Sequence, residues 1–208
     1  MAYSDFTLQG ACDSFKLDAR VDEDLFASVP AARVSPSLRA LLDEFIPLGT
    51  AIHTEKARSE FIVAPILAEV RKLLNHRVSL FSGTDFNVDP GRGLNGTCDF
   101  IMAASSMQLF VRNPVLMIVE AKNDNIKSGL GQCIAEMVAA REFNAAEPTA
   151  PTRIHGAVTT GSIWKFLKLE GSQVFIDHPE YYVEQLERIL GILLSCLGGD
   201  PATAGAAA

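Results

Sequence analysis

The chain has 208 residues, 48% of them hydrophobic and 21% charged, the make-up of one globular domain with a sizeable core. No apolar run is long enough for a membrane span, and the opening MAYSDFTLQGACDSF lacks the basic-then-apolar order of a signal peptide, so neither membrane nor secretion is expected. Net charge is −7, which disfavours nucleic acid, yet residues 1–50 and 171–208 together carry −8 and the middle of the chain is +1. Cys12, Cys98, Cys133 and Cys196 form no CxxC pair, which suits reduced thiols and a cytoplasmic location. His53, His76, His155 and His178 show no zinc-ligand spacing.

Residues 1–35 admit two readings, short strands or an ordered arm, and residues 1–52 read as an N-terminal extension. Ser35 or Ser37 can cap a helix through LRALLDEFI. HTEKARSEFIVAPILAEVRKLL (53–74) has helical spacing, with a stripe of Val63, Leu67, Val70 and Leu74 that extends backwards onto Glu60. Pro65 inside it demands a kink or a late start. The period then changes. VSLFSGTDFNVD (78–89), TCDFIMAA (97–104) and PVLMIVEAK (114–122) read as strands, with the turn cluster PGRGLNG between the first two. GLGQCIAEMVAAREFN (129–144) is a helix, AAEPTAPT a loop, and RIHGAVTT, SIWKFLKLE and SQVFID are strands. HPEYYVEQLERILGILLSCL (178–197) reads as a closing amphipathic helix, and 199–208 as a flexible tail. The order implies one α/β domain over 1–198, with helices about a central sheet and a core at 53–170.

The end of the third strand carries the chemistry. Alternation puts Leu116, Ile118, Glu120 and Lys122 on one face, with Val115, Met117 and Val119 on the other. If residues 97–104 and 114–122 pair as a hairpin, Asp99 lies beside Glu120. Two adjacent carboxylates repel, so one pKa must rise unless a cation neutralises them. A hard divalent cation such as Mg²⁺, with Mn²⁺ as substitute, suits oxygen ligands and keeps waters that a phosphate displaces. Lys122 adds a point charge for a phosphate or an attacking water. Trp164 reads as core.

Gly96-Thr97-Cys98-Asp99-Phe100 followed by Glu120-Ala121-Lys122 resembles the D…ExK core of the PD-(D/E)XK nuclease superfamily. The resemblance implies a restriction-endonuclease-like fold, a mixed sheet flanked by helices with an αβββαβ core. Asp99 and Glu120 would be metal ligands, Lys122 the catalytic lysine, Glu60 the helix acid and Gln132 the glutamine of several such families. Glu55 is the alternative helix acid; on one regular helix it sits about 140° from Glu60, so only one of the two can face the site. Cys98 replaces the motif's proline, and Glu136 stands four residues after Gln132, where one subgroup has tyrosine.

Gly91 to Gly96 spells GxGxxG, but a strand follows it where a dinucleotide site needs a helix, so that reading is set aside. The expected function is metal-dependent hydrolysis of DNA, less readily RNA, with Arg92, Lys127, Lys165 and Lys168 on a basic rim and the terminal acids away from it. A homodimer is compatible with double-strand cleavage. Two rivals stand: a catalytically silent nuclease-like fold that binds nucleic acid or protein, and a small-molecule enzyme with an acid–lysine pair.

Overall fold

The computed structural model describes residues 1–21, 24–147 and 151–204; residues 148–150, inside the expected loop AAEPTAPT, lie outside them. In chain order the elements are α1 (Leu8–Phe15), β1 (Asp18–Arg20), α2 (Pro36–Ile52), α3 (Glu55–Arg58), a π-helical turn (Ser59–Val63) and α4 (Ala64–Leu73). There follow β2 (Ser79–Asp85), β3 (Thr97–Ala103), β4 (Val115–Ala121), α5 (Ile126–Asn144), β5 (Arg153–Thr159), β6 (Ile163–Glu170), β7 (Gln173–Ile176), β8 (Tyr181–Tyr182) and α6 (Leu186–Cys196).

The strands form one eight-stranded mixed sheet in the order β1-β7-β6-β5-β4-β3-β2, with β8 also paired to β6. β4 and β5 are parallel, which requires a crossover; α5 supplies it. One face of the sheet buries Ile101, Ile118, Val158 and Leu167 with residues of α1 and α5. The other buries Phe100, Met117, Val119 and Phe166 with residues of α2, α4 and α6. The protein is thus α/β, a mixed sheet flanked by helices. Among the described residues no helix is long and apolar enough to cross a membrane.

Local chemistry explains the helix starts and one interruption. Ser35 caps α2 by accepting from the Leu38 amide, with Pro36 at the first helical position. The expected helix over 53–74 runs from Glu55 to Leu73 and is interrupted once, by a π-helical turn. His53, with φ 57°, ends α2, and Thr54 caps α3. Pro65 has no N–H, and its ring would collide with the carbonyl four residues back. The preceding turn widens, and the Ala64 amide bonds the Ser59 carbonyl five residues back.

The expected helix over 178–197 is shorter, beginning at Leu186. Tyr181 and Tyr182 instead pair with Trp164 and Ile163 of β6, and the Tyr181 hydroxyl donates to Asp177 at 2.9 Å. Aromatic residues suit that half-buried ladder. In the expected tail the chain turns at Asp200–Ala204, with Pro201 buried and Ala204 against the core; residues 205–208 lie outside the described residues.

Candidate active site

β3 and β4 are antiparallel neighbours with Phe100 opposite Val119, a register that sets Asp99 beside Glu120 where β4 leaves the sheet. Asp99 Oδ2 accepts from the Ala121 amide at 2.8 Å. The register shifts between Met102 and Ala103: Met102 pairs with Met117 but Ala103 with Val115, leaving Leu116 as an extra residue. The expected alternation fails at that bulge. Val115 joins the Ile118 face, and Leu116 packs on the opposite core. From Met117 onward the alternation holds, and Glu120 and Lys122 meet: Lys122 Nζ donates to Glu120 Oε1 at 2.5 Å.

α5 completes the cluster from above the sheet. Asn125 caps it, and Gln132 projects from its second turn, where its Oε1 accepts from Lys122 Nζ at 3.2 Å. One turn further on, Glu136 Oε1 accepts from Gln132 Nε2 at 3.1 Å. Glu136, which stands in the sequence as a departure from the motif, is fully buried. Its sequence context did carry a signal of this that was missed: CIAEMVAA is apolar on every side of it, as in a helix buried all round. Gly129 was also missed. A Cβ there would lie 2.7 Å from Val158 Cγ1 and 3.1 Å from Lys122 Cγ, so glycine is what lets the lysine stem pass under the helix.

The electrostatics follow from crowding acids in a dry place. Burial, then Asp99, push the Glu120 carboxyl up to about 8, and Lys122 offsets this only in part. Asp99 is also raised by burial, against the pull of the Ala121 amide and Lys122. Burial tends to lower Lys122, but Glu120, Glu55 and Asp99 together outweigh it and the ammonium is held above its ordinary value. Burial, then Glu120, raise Glu136 well above the carboxylate range. Glu120 Oε2 and Glu136 Oε2 are buried without a hydrogen-bond partner.

The helix acid changes. Glu60 is exposed and bridges to Lys56 at 2.8 Å, turned from the site it was expected to face. The reason is the widened turn before Pro65, whose extra residue rotates everything upstream by about 100° relative to the buried stripe. Glu55, at the start of α3, is near enough for its charge to raise both Glu120 and Lys122. A second feature unforeseen from sequence borders this end of the sheet. Arg58 is buried and donates to the Thr160 carbonyl at 3.0 Å, and His53 lies 3.5 Å from Asp124.

The expected basic rim is mostly engaged elsewhere. Arg92 bonds Glu142 at 2.8 Å, almost three turns or ~15 Å along α5 from Gln132. Lys165 shares a rung and face with Glu120 through Val158, two strands away, but its Nζ donates to the His178 carbonyl at 2.8 Å. Lys168, an odd number of residues further on, is on the opposite face. It lies on the Met117 rung, 3.4 Å from Glu170 and over the Phe175 ring. Local ion pairs and the two-residue period of the strand, invisible in a charge count, account for these placements. Lys127 alone of the four has a side chain with neither an ion pair nor a hydrogen bond among the described residues. It lines a cleft of about 820 Å³ between the start of α5 and Ser4–Leu17, together with Asp5 and Asp13.

Two carboxylates suffice for Mg²⁺, which keeps several waters. Among the described residues no group of three or more His, Cys, Asp or Glu side chains is arranged to hold a metal ion. Asp99 and Glu120 nevertheless fit one, because Glu120 Oε2 is a buried acceptor with nothing to accept from. Fold and site together define an α/β protein with two adjacent buried carboxylates and a lysine at a strand end. The chain matches no known protein-family model, and no curated protein sequence matches it.

Proposed function

We propose that the protein is a divalent-metal-dependent phosphodiesterase of the PD-(D/E)XK type acting on DNA, with RNA as the secondary substrate class. The observation that carries this reading is the crowding of Asp99 and Glu120 on adjacent strands, with the Lys122 ammonium on Glu120 Oε1 and Glu120 Oε2 left unpartnered. Structural carboxylates are normally satisfied. Two carboxyls raised by burial, with Asp99 raising Glu120 further, call for a cation. The succession α4–β2–β3–β4–α5–β5 supports a restriction-endonuclease-like αβββαβ core.

Asp99 and Glu120 Oε2 would hold the ion, which when bound supplies Lewis-acid polarisation of a phosphoryl oxygen and a lowered pKa for water. Lys122 Nζ, fixed by Glu120 Oε1 and Gln132 Oε1, has a third N–H to orient that water or to meet developing negative charge. The Ala121 amide keeps Asp99 Oδ2 in place. Glu55, rather than Glu60, adds negative charge at the rim.

Calorimetric titration with Mn²⁺ beside a plasmid-cleavage assay tests the reading. Glu120→Ala should lose metal binding and cleavage together. Lys122→Ala should keep metal and lose about two to four orders of magnitude in cleavage, the scale of a missing acid–base group. Equal metal affinity in wild type and both variants would overturn it. A second reading, a silent nuclease-like fold that binds a protein, is favoured by Asp5 and Asp13 lining the cleft beside Lys127. Metal binding without cleavage, with no salt-dependent affinity for DNA, would select it.

A further inference from the structure

We propose that Glu136, the fully buried carboxyl on α5, is a positioning residue that fixes the Lys122 ammonium against Glu120 through Gln132. The inference rests on the reading of Asp99, Glu120 and Lys122 as the working site. The geometry is a single chain of donors and acceptors: Lys122 Nζ donates 2.5 Å to Glu120 Oε1 and 3.2 Å to Gln132 Oε1, and Gln132 Nε2 donates 3.1 Å to Glu136 Oε1. A glutamine amide has an accepting end and a donating end of nearly the same shape. The lysine ammonium only donates and so takes the oxygen end, and an acceptor beyond the amide holds that orientation. Glu136 offers that acceptor, and it keeps the Gln132 oxygen on Nζ.

The fold itself gives Glu136 no reason to be a carboxyl. It is wholly excluded from water, its Oε2 has no hydrogen-bond partner, and Ile134, Ala135 and Met137 beside it are ordinary core residues. A leucine of similar size would avoid the desolvation of an unpaired polar group. Burial and Glu120 push its carboxyl up, and a neutral carboxyl still presents a carbonyl oxygen to Gln132. The same helix is shaped around the lysine one turn earlier, where Gly129 leaves room for the Lys122 stem. Without the anchor, Gln132 Nε2 is orphaned and the amide is free to rotate. Lys122 then keeps Glu120 but loses its second fixed partner.

The test reads Lys122 directly and independently of catalysis. In a ¹H–¹⁵N spectrum of lysine ammonium groups, Lys122 is assigned by the signal that vanishes in Lys122→Met. Its hydrogen-bonded ammonium should give a resolved signal in wild type. Glu136→Leu should shift or broaden that signal and lower kcat for plasmid cleavage about 10–100-fold with KM unchanged, the usual effect of losing an outer-sphere partner. Glu136→Gln, which retains an accepting carbonyl, should restore both. Gln132→Leu breaks the same link at the other end and should reproduce Glu136→Leu, which keeps the test available if the buried variant does not fold. An unchanged Lys122 signal in Gln132→Leu or Glu136→Leu, or a Glu136→Gln variant as impaired as Glu136→Leu, would overturn the proposal. If wild type cleaves nothing while the Lys122 signal responds as described, the nuclease reading fails and the positioning role stands.

Discussion

Burial and the Asp99 carboxylate hold the Glu120 carboxyl at about 8, against an ordinary value of 4.5, and that displacement has a sign in stability. Folding tightens the proton on Glu120, so the group costs nothing below about 4.5, becomes destabilising as pH rises, and exerts its full penalty above about 8. Glu136 is raised for the same reasons and acts in the same direction. Metal-free protein should therefore lose more stability between pH ~5 and ~8.5 than Glu120→Gln does, in thermal melts of the two side by side. Mn²⁺ should oppose the trend, since a cation competes with the proton and binds better as pH rises. Parallel pH profiles for wild type and Glu120→Gln would show that the carboxyl is not held protonated.

At the scale of elements, two insertions of one residue redirect side chains. The π-helical turn before Pro65 sends Glu60 to Lys56 and solvent and brings Glu55 toward Lys122. Glu60→Ala should change stability by no more than about 0.5 kcal/mol and leave Mn²⁺ affinity unaltered, because an exposed ion pair contributes little. Glu55→Gln should weaken Mn²⁺ binding by removing a nearby negative charge. Calorimetry on the two variants separates them, and a weaker site in Glu60→Ala alone would restore the original helix acid. The bulge at Leu116 sets Val115 and Leu116 on faces opposite to those that strict alternation assigns. α5 adds a steric condition at Gly129. Gly129→Ala should cost about 1–3 kcal/mol of overpacking and displace the Lys122 stem, read as a lower melting temperature with reduced cleavage.

For the molecule as a whole, charge is where sequence and structure part most. Arg92, Lys165 and Lys168 are spent on Glu142, on the His178 carbonyl and on Glu170, while Lys127 stands over a cleft shared with Asp5 and Asp13. If DNA binds along this end of the sheet, Lys127→Ala should reduce the slope of log affinity against log salt by about one, while Lys168→Ala, on the far face, leaves it unchanged. A slope that responds to Lys168 instead would place the nucleic acid on the α2–α4–α6 side. Residues 1–52 also act at this scale. β1 extends the sheet beside β7, α1 packs with α5, and α2 lies against the core of the opposite face.

Alternating and helical hydrophobic periods determined the strands within 78–89, 97–104 and 114–122, the adjacency of Asp99 to Glu120, and the helix over 129–144, which begins three residues earlier at Ile126. Those follow from local pattern and from the pairing of consecutive strands, here across the connection 104–114. Tertiary structure decided the bulge at Leu116, the docking of Glu136 onto the Lys122 network, and how the chain relieves Pro65, which sets the direction of Glu60. In each case the outcome depends on one residue of phase or on which face meets the sheet. A helix turn of five instead of four rotates every upstream side chain, and an acid on a helix becomes a buried anchor only when the face it occupies is pressed against Cys98 and the Lys122 network. Local sequence carries no record of that contact, because the partners are brought together by the β4–α5–β5 crossover rather than by spacing along the chain.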